Sequence, residues 1–395
     1  MYPNLYYLFK DLFGIESHWW NFLKIFQSFG VMVAVSFLFA AYFFSKELLR
    51  KEKEGLLPST TKEKKHLKGE APAVSEVALS ALLGFVLFYK FVYIAFNFSD
   101  FTGDTQGFIL SLKGHFTGGL TGAAVLGWMN YREKKKEQLE KPIWVTTNPH
   151  PYEHVPNMTL IAAVAGILGA KIFHNLENLD EFMRDPMGSI LSFSGLTMYG
   201  GLIVASISVI YYARKNGITT THLIDACAPS LMLAYGVGRI GCQMAGDGDW
   251  GIDNLSAKPS WFVLPDWAWS YNYPHNVNSV GVPMPDCTGK YCAVLENPVF
   301  PTPLWEAITC IGLFFVLWSL RKKITTPGAL FCVYLILNGV ERFFIEKIRI
   351  NTTYNIFGHH ITQAEIISTL LFFLGIAGVF YFRNLQKNMN QMKKR

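Results

Sequence analysis

Residues 223 to 253 read LIDACAPSLMLAYGVGRIGCQMAGDGDWGID. The first half is apolar enough to lie in a lipid bilayer, whereas the second half carries Arg239, several glycines and several aspartates. A charged residue inside a membrane span costs roughly 2.5 to 3.5 kcal/mol on insertion scales, so it usually marks a functional site. A surface loop would account for the glycines, but it would not account for an arginine so close to apolar sequence.

The whole chain has the composition of a membrane protein. Of its 395 residues, 51% are hydrophobic, 15% are aromatic and only 16% are charged. A helix needs ~20 mainly apolar residues to cross ~30 Å of hydrocarbon. Segments of that kind lie at 26–44, 75–97, 107–129, 158–176, 190–213, 223–241, 303–320, 327–345 and 363–383. The sequence therefore predicts an all-α, polytopic integral membrane bundle of about nine transmembrane helices.

The segments between these helices alternate in charge. Four loops and the C-terminal tail are rich in Lys and Arg, and the loops between them are acidic or neutral. Basic loops stay in the cytoplasm by the positive-inside rule, so the N-terminus is predicted to face out and the C-terminus to face in. The net charge of +6 is spread over the loops. It does not form one aromatic-laced patch, which argues against nucleic-acid binding.

Two cysteines on the predicted outer side leave a question open. Cys287 and Cys292 lie in DCTGKYC, where an oxidising compartment favours a disulfide; a pair of free thiols is the alternative. Zinc is disfavoured because no second Cys or His pair follows at ligand spacing. The others lie in or beside spans, where a cysteine usually behaves as a small apolar residue. They are Cys227, Cys242, Cys310 and Cys332.

Unusual polar residues of several predicted spans fall at the same, outer end of the bundle. They are Lys171, Tyr199, Arg239, Glu306, Arg342, Glu346, Arg349 and Gln363. Arg342, Glu346 and Arg349 share one helix face, because they follow each other at intervals of four and three residues. For Lys171 and Arg349 alone we expect snorkelling towards lipid headgroups or solvent. The rest predict a polar pocket at headgroup depth.

Two guanidiniums at that depth match a phosphate group. Arg239 and Arg342 each offer a planar donor fork suited to bidentate phosphate contacts. Glycines beside Arg239, and Gly200 and Gly201 beside Tyr199, let the backbone approach a ligand, although paired glycines also serve helix packing. No metal or organic cofactor is indicated, since no His, Cys and carboxylate cluster has metal-site spacing. The residues therefore predict a phospholipid-headgroup site, without deciding whether chemistry occurs there.

Five motifs in order along the chain resemble the prolipoprotein diacylglyceryl transferase family. They are MYGGLI at 198–203, GVGRIGCQMAGDGDWG at 236–251, FPTPLWEA at 300–307, GVERFFIEKIR at 339–349 and ITQAEIIS at 361–368. The resemblance implies an enzyme of the bacterial cytoplasmic (inner) membrane whose active site faces outwards. Such an enzyme moves the diacylglyceryl group of phosphatidylglycerol to the lipobox cysteine of a prolipoprotein signal peptide and releases glycerol phosphate. No cofactor is implied.

The resemblance also implies roles for individual residues. The catalytic set would be Arg239, Arg342, Glu346 and Tyr199. The residues that bind phosphatidylglycerol would be Arg239, Arg342, Gly200, Gly201, Gln243, Asp247, Glu306 and Gln363. The family's core would occupy 26–45 and 158–383, with an added helix pair at 75–129. Around it we predict an outer-face interfacial aromatic segment at 1–25, basic cytoplasmic loops at 46–74 and 130–157, an outer-face aromatic loop at 250–300 and a basic cytoplasmic tail at 384–395.

The sequence departs from the family pattern at several of these positions. The departures are Cys242 and Gln243 for Asn-Phe, Ala245 for Asn, Asp247 for Glu, Tyr199 for His and Phe29 for Tyr. They leave the proton acceptor open between Tyr199, Glu346, Asp247 and no dedicated base, since nearby arginines lower a thiol pKa. They also motivate an alternative, a non-catalytic lipid- or lipoprotein-binding relative. A transporter is a further alternative, although transporters usually carry broken helices in two repeated halves.

Overall fold

The computed structural model describes residues 1–14, 18–58, 64–97, 101, 105–192, 195–285, 287, 289–356 and 359–392. Within them the chain is mainly helical, and the helices are α1 Leu5–Phe13, α2 Ser28–Lys53, α3 Val74–Phe96, α4 Thr105–Leu110, α5 Phe116–Glu137, α6 Val155–Glu177, α7 Leu179–Arg184, α8 Pro186–Leu191, α9 Met198–Lys215, α10 Thr220–Ala245, α11 Thr302–Leu320, α12 Ala329–Glu346 and α13 Gln363–Met392. Short 3-10 turns lie at His18–Ile25, Pro151–His154 and Asp266–Ala268. The strands are β1 Lys64–Lys68, β2 Ile143–Thr147, β3 Val282–Pro283, β4 Ala293–Val294, β5 Thr353–Ile356 and β6 His359–Thr362.

Six of the described helical segments are long and apolar enough to cross a membrane. They are Ser28–Lys53, Val74–Phe96, Pro151–Glu177, Thr220–Ala245, Thr302–Leu320 and Gln363–Met392. This is the pattern of a helical membrane protein, as the composition predicts. The other long helices in the described part, α5, α9 and α12, are at least 18 residues long. That these three also cross the membrane stays a prediction.

Several helix ends differ from the sequence prediction. The predicted span 107–129 is not one helix, because α4 ends at Leu110 and α5 begins only at Phe116. His115 caps the start of α5 by accepting the Gly118 N–H at 3.1 Å. The predicted span 190–213 likewise begins later, at Met198. At its C-terminal end α2 continues to Lys53, where ion pairs of Arg50 extend it beyond the apolar run.

The chain divides into two compact units. The first comprises Met1–Ser59, Pro151–Thr159 and Ala213–Arg395, and the second comprises Thr60–His150 and Leu160–Tyr212. In the second unit β1 and β2 pair antiparallel, with Lys68 opposite Ile143. These two strands lie in the segments that the charge pattern assigned to basic loops. Each unit is built on close helix pairs.

Glycines set the helix pairs of the second unit. A Cβ at Gly122 of α5 would lie 2.3 Å from the Gly84 carbonyl oxygen of α3. A Cβ at Gly200 of α9 would lie 2.2 Å from Phe173 Cβ of α6, and one at Gly201 would lie 2.8 Å from the Gly166 carbonyl oxygen. Gly200 and Gly201 therefore act here as packing residues, which is one of the two roles that the sequence allowed.

The first unit is organised around α10. One face of α10 packs on α2, since a Cβ at Gly241 would lie 2.9 Å from Met32 Cβ. Another face packs on α11, where a Cβ at Gly236 would lie 3.1 Å from Cys310 Cβ. The buried core of these helices consists of Ala228, Met232, Leu233, Val237, Cys310, Phe314, Leu317 and Leu330. Because α10 is covered on several sides, its polar residues need partners inside the protein.

The segment between α10 and α11 folds over a small core of its own. That core consists of Trp250, Tyr273, Leu295 and Val299. Cys287 and Cys292 form a disulfide with their Cα atoms 5.6 Å apart, which decides between the two states that the sequence left open. The described cysteines outside this pair are free thiols.

A first prediction concerns the glycine contact between α12 and α13. A Cβ at Gly339 would lie 2.6 Å from the Ser368 carbonyl oxygen, whereas a Cβ at Gly312 of α11 would meet nothing within 4 Å. We expect Gly339→Ala to lower stability by ~1–3 kcal/mol through overpacking. The same change at Gly312 should be neutral or slightly stabilising, because alanine favours a helix more than glycine does. Thermal denaturation of the two purified variants in one detergent measures the difference, and equal melting temperatures would contradict the packing described.

Candidate functional site

A fully buried carboxylate stands at the centre of the polar residues of the first unit. Glu306 lies early in α11 and is 0% exposed. Its Oε1 accepts from Arg342 Nη1 at 2.6 Å and from the Tyr235 hydroxyl at 3.1 Å. Its Oε2 lies 2.8 Å from Arg239 Nε. Burying an unpaired ion costs several kcal/mol, so Glu306 can be charged here only because these guanidiniums surround it.

Arg239 itself is held on every side. It lies on the last turns of α10 and is buried. Nη1 forms an ion pair with Asp249, and Nη2 donates to the Tyr235 hydroxyl at 3.3 Å. The guanidinium carbon also lies 5.1 Å from the centroid of the Tyr235 ring, within cation-π range. The arginine that the sequence singled out is thus fixed by an aromatic ring and by carboxylates from two different segments.

Arg342 and Glu346 meet on one face of α12, as their spacing predicts. Arg342 Nη2 lies 3.1 Å from Glu346 Oε2, and Arg342 Nη1 reaches Glu306 on α11. The other Glu346 oxygen accepts from the Asn351 side chain. Both oxygens of Glu346 therefore face donors that fix its position.

Arg349 corrects one expectation from the sequence. It was expected to reach headgroups or solvent, but its side chain is only 7% exposed and pairs with Asp249. Nη1 of Arg349 lies 3.7 Å from Glu306 Oε1. The chain turns inwards after α12 because Ile252 N–H donates to the Ile348 carbonyl at 2.8 Å. Burial and the neighbouring charge of Arg239 lower the pKa of Arg349 to about 10, so it remains protonated at neutral pH.

Asp249 is the acidic residue that sequence reasoning missed. Its two oxygens pair with two different guanidiniums, those of Arg239 and Arg349. The sequence prediction chose Asp247, whose Oδ1 instead accepts the Asp249 N–H at 3.4 Å. Both aspartates lie in GDGDWG, and nothing in that pattern tells them apart except that Asp249 adjoins the buried Trp250. We call Arg239, Arg342, Arg349, Glu306, Glu346 and Asp249 together the arginine cluster.

Two other predicted binding residues have different surroundings. Gln243 is buried and accepts from the Tyr273 hydroxyl at 2.7 Å, so it joins α10 to the segment that follows it. Burial raises the pKa of Tyr273 well above its ordinary value, which keeps this donor protonated. Gln363 is exposed at the first position of α13, and within the described residues no hydrogen bond or ion pair joins it to the arginine cluster. The capping interaction at that helix start is made by Thr362 and Glu365.

Tyr199, Gly200 and Gly201 belong to the second unit, on the first turn of α9. Tyr199 is half-buried, and the two glycines pack on α6. Lys171, also in this unit, donates to the Ser192 hydroxyl at 2.7 Å. The role of Tyr199 in a site with Arg239 therefore stays a prediction.

One group of potential metal ligands lies next to Arg239. The ligand atoms of Cys242, Asp247 and Asp249 are within 4.8 Å of one another. Arg239 Nη1 approaches the Cys242 sulfur at 3.8 Å, and Asp249 already neutralises two guanidiniums. Two positive charges at one of its three ligands disfavour a cation in this position.

The arginine cluster has the chemistry of an anion site. Its three guanidiniums and three carboxylates balance in charge, and the carboxylates orient the donor forks of the arginines. An arrangement of this kind can bind a phosphate group bidentately. Fixed cations can also stabilise negative charge that develops on a departing phosphate.

Comparisons with known proteins point to one family. The family model described as "Prolipoprotein diacylglyceryl transferase" matches residues 120–381, a range that begins in α5 and includes the whole arginine cluster. Proteins named phosphatidylglycerol--prolipoprotein diacylglyceryl transferase are similar to the chain. One from Dehalococcoides mccartyi is 25% identical over 68% of this chain and 88% of its own length. One from Clostridium tetani is 27% identical over 57% and 79%, and one from Shouchella clausii is 27% identical over 67% and 83%.

The matched range covers more than half of the chain and contains all five motifs that carried the resemblance. It also includes the last part of the helix pair that the sequence prediction set outside the family's core. The chain belongs to the prolipoprotein diacylglyceryl transferase family.

Proposed function

We propose that this protein transfers the diacylglyceryl group of phosphatidylglycerol to the thiol of a prolipoprotein lipobox cysteine and releases glycerol phosphate. The observation that carries the proposal is the arginine cluster, in which Arg239, Arg342 and Arg349 converge on the buried Glu306. The substrates are those in the names of the relatives. The three guanidinium donor forks of the cluster suit a phosphodiester headgroup better than an uncharged ligand.

The reaction places specific demands on the protein. The carbon–oxygen bond between the glyceryl carbon and the phosphate breaks, and a carbon–sulfur bond to the cysteine forms. The departing glycerol phosphate gains negative charge, and the thiol gives up its proton. We assign Arg239 and Arg342 to bind the phosphate and stabilise that charge, since preorganised donors need not reorient during the reaction. Glu306 and Glu346 position the two guanidiniums, because side chains that contact a substrate must be held in place by their neighbours.

The proton acceptor is a separate part of the proposal. Glu346 is less suited to the role, because Arg342 and Asn351 occupy both of its oxygens. Asp247 pairs with no guanidinium in the described part of the chain and lies beside Cys242 and Asp249. We therefore favour Asp247 as acceptor. The participation of Tyr199 stays a prediction from the sequence. The remaining predicted contacts to phosphatidylglycerol are Gly200, Gly201, Gln243 and Gln363.

We place the protein in the bacterial inner membrane with nine spans, the N-terminus outside and the C-terminus inside. The alternating charge of the loops supports this topology. The Cys287–Cys292 disulfide fits an oxidising outer compartment. In this arrangement 1–25 and 250–300 lie at the outer face, 46–74, 130–157 and 384–395 lie in the cytoplasm, and the arginine cluster faces outwards.

The decisive experiment is a reconstituted transfer reaction. Purified protein is incubated with phosphatidylglycerol and a lipobox peptide, and the thioether product is detected by mass. Arg239→Lys and Arg239→Ala should both lose about ten- to a hundredfold in rate or more, because each charge-assisted hydrogen bond is worth roughly 1.5 to 3 kcal/mol and lysine cannot replace the planar fork.

The matched control is Arg383→Lys, at an exposed position of α13, which should keep the wild-type rate. Absence of product from the wild type, under conditions in which a known transferase works, would instead favour a non-catalytic lipid-binding relative. A wild-type rate in Arg239→Lys would show that only the charge of Arg239 matters.

Burial predicts a substantial role for Arg349. Arg349→Ala removes a cation from Asp249 and Glu306, and leaving buried carboxylates less well paired is costly. We expect at least a tenfold loss of rate together with a lower melting temperature. Lys134→Ala, on α5, removes an exposed pair with Glu76 and should change neither, since such pairs contribute little. A mild Arg349 variant would mean that this side chain reaches solvent in the working enzyme.

Cysteine labelling tests the proposed topology. In intact cells a membrane-impermeant maleimide should label the Cys287–Cys292 pair only after reduction. Cys287→Ser should make Cys292 reactive without reductant. Lys323→Cys, in a predicted cytoplasmic loop, should react only after the cells are permeabilised. The reverse pattern of labelling would contradict an outward-facing site.

A further inference from the structure

Asp249 occupies an unusual position for a residue of a headgroup site. Its carboxylate lies between two guanidiniums, with Oδ2 on Arg239 and Oδ1 on Arg349. A phosphate could be held in the same way, with two of its oxygens each accepting from a different guanidinium, because arginine binds carboxylates and phosphates through the same kind of charge-assisted hydrogen bond. Asp249 thus fills a place that has the geometry of a phosphate site.

Of the three carboxylates in the arginine cluster, Asp249 is the most exposed. The side chains of Glu306 and Glu346 are both 0% exposed, whereas that of Asp249 is 29% exposed. The two glutamates lie on the α11 and α12 helices and cannot leave without exposing buried guanidiniums. Asp249 can reach water by rotating its side chain.

The backbone at Asp249 is held in place by contacts that do not involve its side chain. Its carbonyl accepts from the Thr302 hydroxyl at 2.7 Å, and Gly251 N–H donates to the Phe300 carbonyl at 2.8 Å. On the other side, Gly248 has a φ of 97°, a conformation that favours glycine. A change of rotamer at Asp249 therefore requires no movement of the loop.

Charge balance identifies what would replace it. Three guanidiniums pair with three carboxylates, and the neighbouring acidic groups Asp247 and Glu341 also act on these arginines. An additional anion can therefore enter the buried cluster favourably only if one carboxylate leaves. A phosphodiester carries a single negative charge, as an ionised carboxylate does. Exchange of the one for the other preserves the balance.

We infer that Asp249 is a substrate-displaced latch, whose carboxylate holds the phosphate position between Arg239 and Arg349 until the headgroup phosphate of the lipid substrate takes it. The inference rests on the proposed function for the identity of that lipid. It makes Asp249 a determinant of lipid affinity and of product release. After transfer, the returning carboxylate competes with the bound glycerol phosphate and helps to expel it.

The test compares neutral variants of Asp249 with the wild type. Asp249→Asn and Asp249→Ser remove the competing charge, so the KM for phosphatidylglycerol in mixed micelles should fall at least about threefold, because a larger fraction of the protein is ready to bind. Inhibition by added glycerol phosphate should strengthen by a similar factor. Asp249→Glu keeps the competing charge, so its KM for phosphatidylglycerol should not fall. Asp253→Asn is the matched control, because Asp253 bonds to Asn297 in the same segment.

Two results would contradict the latch. An unchanged or raised KM with a reduced kcat in both neutral variants would make Asp249 a positioning residue for its two arginines. Failure of both neutral variants to fold would mean that the carboxylate cannot vacate its place. Native mass spectrometry tests the latch without turnover, because it measures how much phosphatidylglycerol each variant retains relative to phosphatidylcholine. If the wild type made no product but the neutral variants retained more phosphatidylglycerol, the proposed reaction would fail and the latch would stand.

Discussion

The structure of the first unit depends on the contacts that the buried Glu306 carboxyl group makes inside the helix bundle. A carboxylate with no exposed surface is stable only if donors meet it from several directions. Arg239, Arg342 and Tyr235 supply those donors from α10 and α12. These contacts join α10, α11 and α12 at the same level of the bundle. Each arginine is thereby oriented by a buried partner.

The same rule governs the other end of these helices. Glu47 is fully buried on α2 and meets Arg50 and Arg321. Asp225, near the start of α10, lies 3.8 Å from Lys51 and accepts the backbone N–H groups of Gly328 and Phe331 at the start of α12. Paired charges therefore close the bundle at both ends, while an apolar core fills the space between them.

The two charged clusters differ in one respect that bears on function. The partners of Asp225 include backbone N–H groups at the start of a helix. Because the helix fixes these donors, their hydrogen bonds to Asp225 are permanent. At the other end Asp249 lies in a glycine-rich loop and is partly exposed, so its place can be taken by another anion. A rigid set of guanidiniums with one exchangeable carboxylate is what a phosphate site needs, because the arginines must stay charged, dry and oriented both before and after the ligand enters.

Much of this could be predicted from local sequence. Apolar runs of membrane length depend on neighbouring residues alone, so the helical membrane class and the approximate position of several helices were readable. The four-residue spacing of Arg342 and Glu346 already placed them on one face. The motifs around Arg239 and Glu306 were enough to indicate the family. The sequence could not show that Arg349 turns inwards, because that turn is made by backbone contacts with residues about a hundred positions earlier.

Tertiary structure also decided between residues that look alike in the chain. Asp247 and Asp249 have the same chemistry and nearly the same flanks, and only the packing of Trp250 and Thr302 directs Asp249 towards the arginines. From the sequence, Gly200 and Gly201 could equally have faced a ligand or a helix, and the fold packs both of them against α6. A further contact with the lipid stays a prediction. The sequence by itself determined which segments are apolar and where charge must be buried. Which charges meet was decided by the fold, since ion pairing depends on distances between segments that are remote along the chain.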